Sequence, residues 1–251
     1  MNKRNTFYLF SCLAFICLLT LFSFNTKKLL NDDKIISYVV DVKTQDLKLY
    51  WKDDSVKNFK SILRLKSWLE SKKKKLVFAM NGGMYMEDNA PLGLFIQEGK
   101  TIRSVNTNTA TGNFYLMPNG IFYITNDKIA YVSKTADFIK TKKNYKINYA
   151  TQSGPMLLID GEIHPEFREG SSNLNIRNGV GILSDNKVIF AMSKEPINFY
   201  DFAMYFKKAG CKNALYLDGF VSRTYLPEKN WMQTDGNFGV IIAVTSDKKI
   251  Q

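Results

Sequence analysis

The sequence contains very little histidine and cysteine for its length. Among 251 residues there is one histidine, His164, and three cysteines, Cys12, Cys17 and Cys211. A zinc site built from Cys and His ligands cannot be assembled from this set. Because Cys12 and Cys17 lie in an apolar N-terminal run, Cys211 is alone in the rest of the chain, and we expect no disulfide to staple the fold. We therefore expect no metal site and no cofactor, with a bound structural cation left open.

Acidic residues are also scarce relative to basic ones. Lys and Arg total 35 against 23 Asp and Glu, which gives a formal net charge of +12 at pH 7. Such a balance favours anionic partners, including phosphorylated polymers and membrane surfaces. The run Lys72–Lys75 is interpreted as the solvated end of a helix, with a polyanion-binding patch as the alternative. Since no zinc motif, aromatic interleaving or RNA-binding signature accompanies the charge, we expect no nucleic-acid partner.

One long hydrophobic run is present, at the N terminus. Residues Phe7–Phe24 are apolar and uncharged and follow Lys3 and Arg4. At about 1.5 Å per residue, a helix of this run nearly spans the hydrocarbon core of a bilayer. We predict that residues 1–30 form a cleaved signal peptide or an uncleaved membrane anchor, and the lack of an A-x-A-like cleavage site favours the anchor. Residues 31–251 are then extracytoplasmic: periplasmic or at the cell surface, or secreted if the segment is cleaved.

The rest of the chain is dominated by short strand-like runs separated by turn pairs such as Asn119-Gly120. The runs Ile35–Val42 and Leu47–Trp51 predict a β-hairpin, whereas Ser133–Tyr149, rich in Lys and Thr, predicts a long surface loop. The other predicted strands are Leu76–Met80, Gly93–Gln97, Phe114–Met117, Ile121–Thr125, Ile129–Val132, Met156–Ile159, Val180–Ser184, Val188–Met192, Ala214–Leu217 and Phe238–Thr245.

Two helices are indicated. The first covers about Val56 to Ser71 and ends in lysines. The second has Asn198 as its N-cap, Asp201 in a capping-box position and Gly210 just past its end. No Pro/Gly/Ser-rich linker interrupts residues 31–251. We therefore predict a single sheet-dominated α+β domain with a mixed β-sheet and a few packed helices, preceded by the hydrophobic N-terminal helix.

Polar residues gather at the ends of the predicted strands. Asn81, Gly82 and Gly83 follow the strand that ends at Met80. Paired glycines let a ligand approach the backbone closely, and an Asn amide both donates to and accepts from a sugar hydroxyl or phosphate. A simple tight turn is the alternative interpretation.

A second polar group, Gln152, Ser153 and Gly154, precedes another predicted strand. The pair Asp160-Gly161 after that strand predicts a hairpin turn. We interpret His164 as a loop or packing residue, because no G-x-S-x-G nucleophile motif accompanies it.

Two charged residues complete the set of candidates. Arg177 precedes a strand, and its planar fork matches a phosphate, although an ordinary surface arginine is the alternative. Asp218 ends a strongly apolar strand, where a carboxylate is costly to bury unless it is hydrogen-bonded and where its pKa can be tuned. Asp218 is the strongest catalytic candidate, with a structural turn-capping Asp as the alternative. Ser222 and Arg223 follow it directly.

Taken in order, these motifs resemble the phosphodiester glycosidase family, which includes the lysosomal uncovering enzyme. The resemblance covers about Ile35 to Val244 and is greatest for the short bacterial exported branch. Phe220 and Val221 depart from the better-studied branch, which has two glycines there. The motifs that carry the resemblance are Asn81-Gly82-Gly83, Gln152-Ser153-Gly154-Pro155, Arg177 with Gly179-Val180-Gly181, and Leu217-Asp218-Gly219 with Ser222.

The resemblance implies hydrolysis of the bond between an anomeric carbon and a phosphate oxygen, which releases a sugar and leaves a phosphomonoester. Because phosphate is a good leaving group, stabilising the departing charge matters more than general-acid help. We expect Arg177 to stabilise the charge of the departing phosphate and Asp218 to act as the base or to stabilise the oxocarbenium ion. Asn81 is the third expected catalytic residue. The expected substrate-binding residues are Gly82, Gly83, Gln152, Ser153, Gly154, Ser222 and Arg223.

Two other functions stay open. One is a non-catalytic, membrane-tethered module that binds phosphorylated cell-envelope or exopolysaccharide polymers. The other is a phosphodiesterase that cleaves the P–O bond, which the scarcity of His/Asp metal-ligand clusters disfavours. In every case the expected partners are a sugar-phosphate or polysaccharide and, through the N-terminal segment, a membrane.

Overall fold

The computed structural model describes residues 32–183, 185–218 and 221–247. The predicted N-terminal signal or anchor segment lies outside these ranges. Within them, no helix combines the length and apolar character that a membrane span requires.

The described residues form 16 β-strands, three α-helices and three short 3-10 helices. The helices are α1 (Ile62–Ser71), α2 (Thr135–Thr141) and α3 (Phe199–Lys208), and the 3-10 helices are Asn113–Tyr115, Lys142–Asn144 and Pro227–Lys229. The strands are β1 (Ile35–Val40), β2 (Asp46–Tyr50), β3 (Lys74–Asn81), β4 (Phe95–Gln97), β5 (Lys100–Arg103), β6 (Gly120–Thr125), β7 (Ala130–Lys134), β8 (Ile147–Ser153), β9 (Met156–Ile159), β10 (Glu162–Ile163), β11 (Asn178–Ile182), β12 (Val188–Ser193), β13 (Ala214–Asp218), β14 (Thr224–Leu226), β15 (Trp231–Met232) and β16 (Ile241–Asp247).

The strands assemble into three sheets. Sheet A has the order β1-β12-β11-β13-β9-β10, sheet B the order β15-β14-β3-β16-β2, and sheet C the order β5-β4-β8-β6-β7. Each strand pair in these sheets is antiparallel. The prediction of a sheet-dominated domain with few helices is confirmed, but the mixed sheet is wrong, since three antiparallel sheets replace it.

The three sheets share one hydrophobic core, at whose centre three phenylalanines meet. Phe190 of sheet A lies 5.4 Å from Phe78 of sheet B and 5.8 Å from Phe122 of sheet C, measured between ring centroids. All three side chains are fully buried. Edge-on and tilted aromatic pairs at these distances stabilise a core beyond the area that they bury.

The two predicted helices form, and the second begins and ends as expected. At the start of α3, the Asn198 Oδ1 accepts from the Asp201 N–H at 2.8 Å, and Gly210 adopts a left-handed φ of 87° just past its end. The first helix, α1, begins at Ile62 rather than at Val56. Because Val56 and Lys60 have φ values of 63° and 60°, a right-handed helix cannot continue through them.

Three local predictions are wrong, and the first is the strand at Phe114–Met117, where the structure has the 3-10 helix Asn113–Tyr115 and no strand. The β1 and β2 strands do not form a hairpin, because β1 pairs with β12 of sheet A and β2 with β16 of sheet B. The turn between them is held by a local hydrogen bond, in which the Gln45 N–H donates to the Asp41 carbonyl at 2.9 Å. The predicted long loop Ser133–Tyr149 instead contains α2 and the start of β8, since Phe138 is an apolar anchor buried against sheet C.

The hairpin predicted at Asp160-Gly161 is confirmed, and His164 lies in its returning arm. The His164 ring is buried, its Nε2 lies 3.0 Å from the Met117 carbonyl oxygen, and its Nδ1 accepts from the Glu166 N–H at 3.2 Å. These contacts assign the proton to Nε2. The interpretation of His164 as a packing residue is confirmed.

Substituting Gly82 tests how tightly β3 packs on its neighbour β16. A Cβ at Gly82 would lie 2.3 Å from Cγ1 of Ile242, so we expect Gly82→Ala to lower the free energy of unfolding by about 1–3 kcal/mol. Ile242→Ala removes the clashing atom, and the double variant should therefore lose less than the sum of the two single losses. Urea unfolding of the three variants measures this coupling, and strict additivity would contradict it.

Burial lowers the pKa of His164 below the ordinary histidine value of about 6.5. The unfolded chain therefore binds the proton more readily, so the folded state loses stability as the pH falls below about 6.5. His164→Gln keeps a donor for Met117 and removes the titration. We expect the wild type to lose more stability than this variant between pH 8 and pH 5 in urea unfolding; equal losses would refute the argument.

Candidate functional site

Three strand ends converge where sheet A meets sheet B. Asn81 is the last residue of β3, Asn178 the first of β11 and Asp218 the last of β13. Asn178 and Asp218 are partners in the β11–β13 ladder, and the packing of the two sheets brings Asn81 to them. All three side chains are buried. Residues 137 positions apart in the chain thus form one polar cluster.

The Asn81 and Asn178 amides hydrogen-bond to each other and to the backbone. The Asn178 Nδ2 donates to the Asn81 Oδ1 and to the Asn81 carbonyl oxygen, both at 3.0 Å. The Asn178 Oδ1 accepts from the Asp218 N–H at 2.8 Å. The Asn81 Oδ1 also accepts from the Arg223 N–H at 2.9 Å. The Asn81 Nδ2 donates to Asp218 and to the Val221 carbonyl. These contacts fix both amide orientations.

The Asp218 carboxylate is the charged group of this cluster. Its Oδ2 accepts from the Asn81 Nδ2 at 3.1 Å, and only 4% of the residue is exposed. Burial, assisted by the negative charge of Asp218, raises the pKa of Tyr85 to about 12. The Tyr85 phenol, like an unperturbed tyrosine, is protonated at neutral pH.

Arg177 immediately precedes Asn178 and is fully buried, so it is not an ordinary surface arginine. Its guanidinium Cζ lies 3.6 Å from the ring centroid of Phe199. The Nε donates to the Ile197 carbonyl at 2.7 Å, and Nη2 donates to the Asn173 carbonyl at 2.8 Å. Nη1 makes a longer contact of 3.5 Å with the Tyr216 hydroxyl.

Among the described residues, no acid forms a salt bridge that would neutralise the Arg177 charge. None of the salt bridges formed by residues 32–183, 185–218 and 221–247 involves Arg177. Burial lowers the pKa of its guanidinium, with Tyr216 opposing that shift. A buried cation held by carbonyls and aromatic faces keeps a positive potential, which a negatively charged ligand can use.

The hydroxyl and amide groups predicted to bind substrate are hydrogen-bonded within the protein. The Ser153 Oγ donates to the Leu217 carbonyl at 2.7 Å, and the Ser222 Oγ lies 3.0 Å from the Asp218 carbonyl oxygen. The Gln152 Oε1 accepts from the Leu94 and Asn106 N–H groups, both at 2.9 Å. These contacts brace the strand ends and the loop that follows β5, and they do not direct the side chains toward a ligand.

The three predicted glycines are sites of close packing. A Cβ at Gly83, where φ is 101°, would lie 2.4 Å from the Thr151 Oγ1, and one at Gly154 would lie 2.7 Å from the Asn119 Cβ. Gly82 packs on Ile242, and its carbonyl accepts from the Thr151 hydroxyl at 3.2 Å. The glycines therefore let sheets B and C approach each other beside the cluster.

Arg223 lies at the outer edge of the same cluster. Its Nε pairs with the Asp235 Oδ1 at 2.8 Å, and its Nη1 donates to the Ser222 carbonyl at 3.0 Å. About one third of its side chain is exposed. The guanidinium is thus the solvent-facing cation of the site.

Asn178, Tyr85 and Tyr216 are site residues that were not predicted from the sequence. Asn178 directly follows Arg177. Because successive strand residues point to opposite faces, a polar residue beside Arg177 indicates a polar contact on the other face of the strand. Tyr85 ends the motif that begins at Asn81. Tyr216 lies two residues before Asp218 and contacts Arg177, but an aromatic residue in an apolar strand gives no sign of that contact.

No group of three or more His, Cys, Asp or Glu side chains arranged to hold a metal ion occurs in the part of the chain that the structure describes.

Substituting Asn178 tests whether its amide holds the cluster. Asn178→Ala leaves the Asp218 N–H and the Asn81 Oδ1 without this partner in a buried site, so we expect the free energy of unfolding to fall by about 2–4 kcal/mol. The control Asn108→Ala changes an exposed side chain and should cost less than about 0.5 kcal/mol. Urea unfolding compares them, and similar midpoints would show that the network is dispensable.

Known proteins share this fold and much of this sequence. The chain is 38% identical over 191 residues to the uncharacterized protein YigE of Escherichia coli (strain K12), covering 76% of this chain and 73% of that protein. The catalytic domain of zebrafish N-acetylglucosamine-1-phosphodiester alpha-N-acetylglucosaminidase, auto-inhibited by its pro-peptide, superposes with a TM-score of 0.54 at 15% identity, covering 85% and 84% of the two chains.

A hypothetical protein from Synechocystis superposes with a TM-score of 0.52 at 11% identity, covering 84% of this chain and 59% of that one. At such identities the two superpositions show a shared fold alone. The family model described as phosphodiester glycosidase matches residues 74–245, which contain Asn81, Arg177 and Asp218. The chain therefore belongs to the phosphodiester glycosidase family.

Proposed function

We propose that this protein is an exported hydrolase that cleaves the glycosidic C–O bond of a sugar-1-phosphodiester. Family membership supports the reaction class. The observation that carries the proposal is the buried Asp218 carboxylate, which accepts a hydrogen bond from Asn81 at the junction of two sheets. A carboxylate kept in such a place at the cost of desolvation is typical of a functional group.

In this reaction a water oxygen bonds to the anomeric carbon, and the bond from that carbon to the phosphate oxygen breaks. The phosphate oxygen keeps the electron pair, so the products are a free sugar and a phosphomonoester. Asp218 accepts the proton of the attacking water or stabilises the positive charge that develops on the sugar ring. Because phosphate leaves readily, one carboxylate with electrostatic support suffices.

Arg177 supplies positive potential for the departing phosphate. Three of its contacts, to Ile197 and Asn173, hold the guanidinium in place, and because the side chain is fully buried it acts through its positive potential and not by touching the phosphate. Arg223, at the outer edge of the site, is the direct phosphate contact in this proposal. Its guanidinium matches the geometry of a phosphate.

Asn81 has a different role from the one its sequence position indicates. Its amide is fully engaged by Asp218, Asn178, Val221 and the backbone N–H of Arg223, so it positions the carboxylate. Ser153, Ser222 and Gln152 brace the surrounding strands in the same way. The substrate contacts of these residues and of Gly82, Gly83 and Gly154 stay predictions.

The setting of the reaction also belongs to the proposal. The predicted N-terminal signal or anchor places residues 31–251 outside the cytoplasm, where phosphorylated polysaccharides of the cell envelope are the expected substrate class. We expect no cofactor and no nucleic-acid partner.

Turnover of a panel of sugar-1-phosphodiesters by the wild type, with and without EDTA, tests the reaction. We expect Asp218→Asn to lower kcat at least about 100-fold, because it removes the basic carboxylate and keeps the shape. Asp247→Asn, an exposed acid paired with Lys74, is the matched control and should retain wild-type turnover. Arg177→Lys should raise KM or lower kcat with the fold intact, as checked by circular dichroism. Turnover indifferent to EDTA is the expected result.

Labelled water separates this reaction from its alternatives. We expect ¹⁸O from the solvent in the released sugar. Incorporation into the phosphate would mean P–O cleavage and would overturn the proposal. Binding of a phosphorylated polymer with no turnover of any panel member would instead identify a binding module.

A further inference from the structure

One face of sheet C is only partly covered by helix α2. The Phe138 ring of α2 packs against Tyr123 of β6, with centroids 5.1 Å apart. Seven residues make a helix of only about 10 Å, which cannot reach across the whole face. On the β4–β5 side a groove of about 600 Å³ is left.

The floor of this groove is apolar and one of its rims is basic. Its floor is formed by side chains of β8 and β4 and of the turn that precedes β4, and its rim by the 3-10 helix after α2 and the residue that follows it. We call it the basic groove; the floor residues are Leu94, Ile96 and Ile147, and the rim residues are Lys142, Lys143 and Tyr145.

The rim belongs to a segment with an excess of positive charge. Lys140, Lys142, Lys143 and Lys146 are exposed and lie within seven residues. None of the four takes part in a salt bridge with any residue that the structure describes. The nearest acid in sequence, Asp137, is paired with Lys134 at 3.2 Å. The four lysines therefore present an uncompensated positive field.

Apolar side chains are interleaved with these lysines. Ile139 is 40% exposed, beside a floor that is itself apolar, whereas the ring of Tyr145 packs against Tyr131 with centroids 5.4 Å apart. A soluble phosphorylated polymer would use the lysines, and its sugar rings could stack on an aromatic ring, but it would gain little from aliphatic groups such as Ile139 and the floor residues. Surfaces that bind a bilayer combine both: lysines meet anionic headgroups, while apolar and aromatic side chains enter the interface.

We infer that the basic groove is a docking surface for an anionic bilayer. Lys142 and Lys143 at the rim contact lipid headgroups, Lys140 and Lys146 beside them in the chain add to the positive field, and Ile139 enters the interface. The inference does not depend on the proposed function, since it uses none of the residues of the candidate active site.

Lysine labelling on the full chain in vesicles tests this surface. The chain is reconstituted in vesicles of phosphatidylcholine alone or with about one third phosphatidylglycerol, and a membrane-impermeant amine reagent is applied. We expect Lys142 and Lys143 to be modified about fivefold more slowly on the anionic vesicles, as mass spectrometry measures it. Lys73 and Lys75, which are exposed elsewhere, should change much less.

A pair of charge-reversal variants provides the matched control. Lys142→Glu/Lys143→Glu should abolish the protection of Lys140 and Lys146, whereas Lys73→Glu/Lys75→Glu should leave it intact. Equal labelling on both vesicle types, or equal protection of Lys73 and Lys75, would overturn the inference. Protection reproduced by inorganic phosphate alone would also overturn it, because a bilayer would then not be needed. Turnover of soluble substrate, measured on the same variants, separates this outcome from failure of the proposed reaction.

Discussion

The contact of Phe190 with Phe78 and Phe122 fixes the position of the three sheets, and the candidate site depends on it. β12 carries both Phe190 and, at its end, Ser193, whose hydroxyl accepts from the Arg177 N–H at 2.9 Å. β3 carries both Phe78 and, three residues later, Asn81. Packing the aromatic rings in the core therefore also sets where the polar ends of the strands meet.

Burying polar groups at the junction of sheets A and B costs desolvation free energy. The junction is stable because these groups form hydrogen bonds with one another. Asn81, Asn178 and Asp218 are buried, and each amide atom has at least one partner. Buried networks that are complete make a structure specific, whereas a single missing partner is expensive. Arg177 differs, because its charge is solvated by carbonyl oxygens and aromatic faces and not by a carboxylate. The fixed anion, Asp218, thus lies in the junction, whereas the Arg177 cation, one residue before Asn178, packs against Phe199 of α3.

Strand β8 connects the two regions to which we assign roles. Its first residue, Ile147, lies in the floor of the basic groove, and its last, Ser153, donates to the strand that carries Asp218. At about 3.3 Å per residue, these ends are separated by about 20 Å. In our two proposals, a bilayer that engages the groove would therefore hold the active site at a fixed height, close to substrates attached to the cell envelope.

Short-range features of this protein were readable from the sequence. The cap of α3 at Asn198, the glycine beyond its end and the Asp160-Gly161 turn were predicted correctly, because side chain and backbone interact there within a few residues. The order of the motifs around Asn81, Gln152, Arg177 and Asp218 also indicated the family, and all four residues lie within the range 74–245 that the family model matches.

Only the tertiary structure decided which strands pair and what the polar residues contact. The sequence predicted that β1 pairs with β2 in a hairpin, but β1 pairs with β12. Because β12 is buried on both faces, its sequence does not indicate which strand lies beside it. Equally, nothing local indicates that Arg177 is buried on Phe199, or that Asn178 joins Asn81 to Asp218. Such contacts join residues far apart in the chain, and they are selected by how whole sheets fill the core.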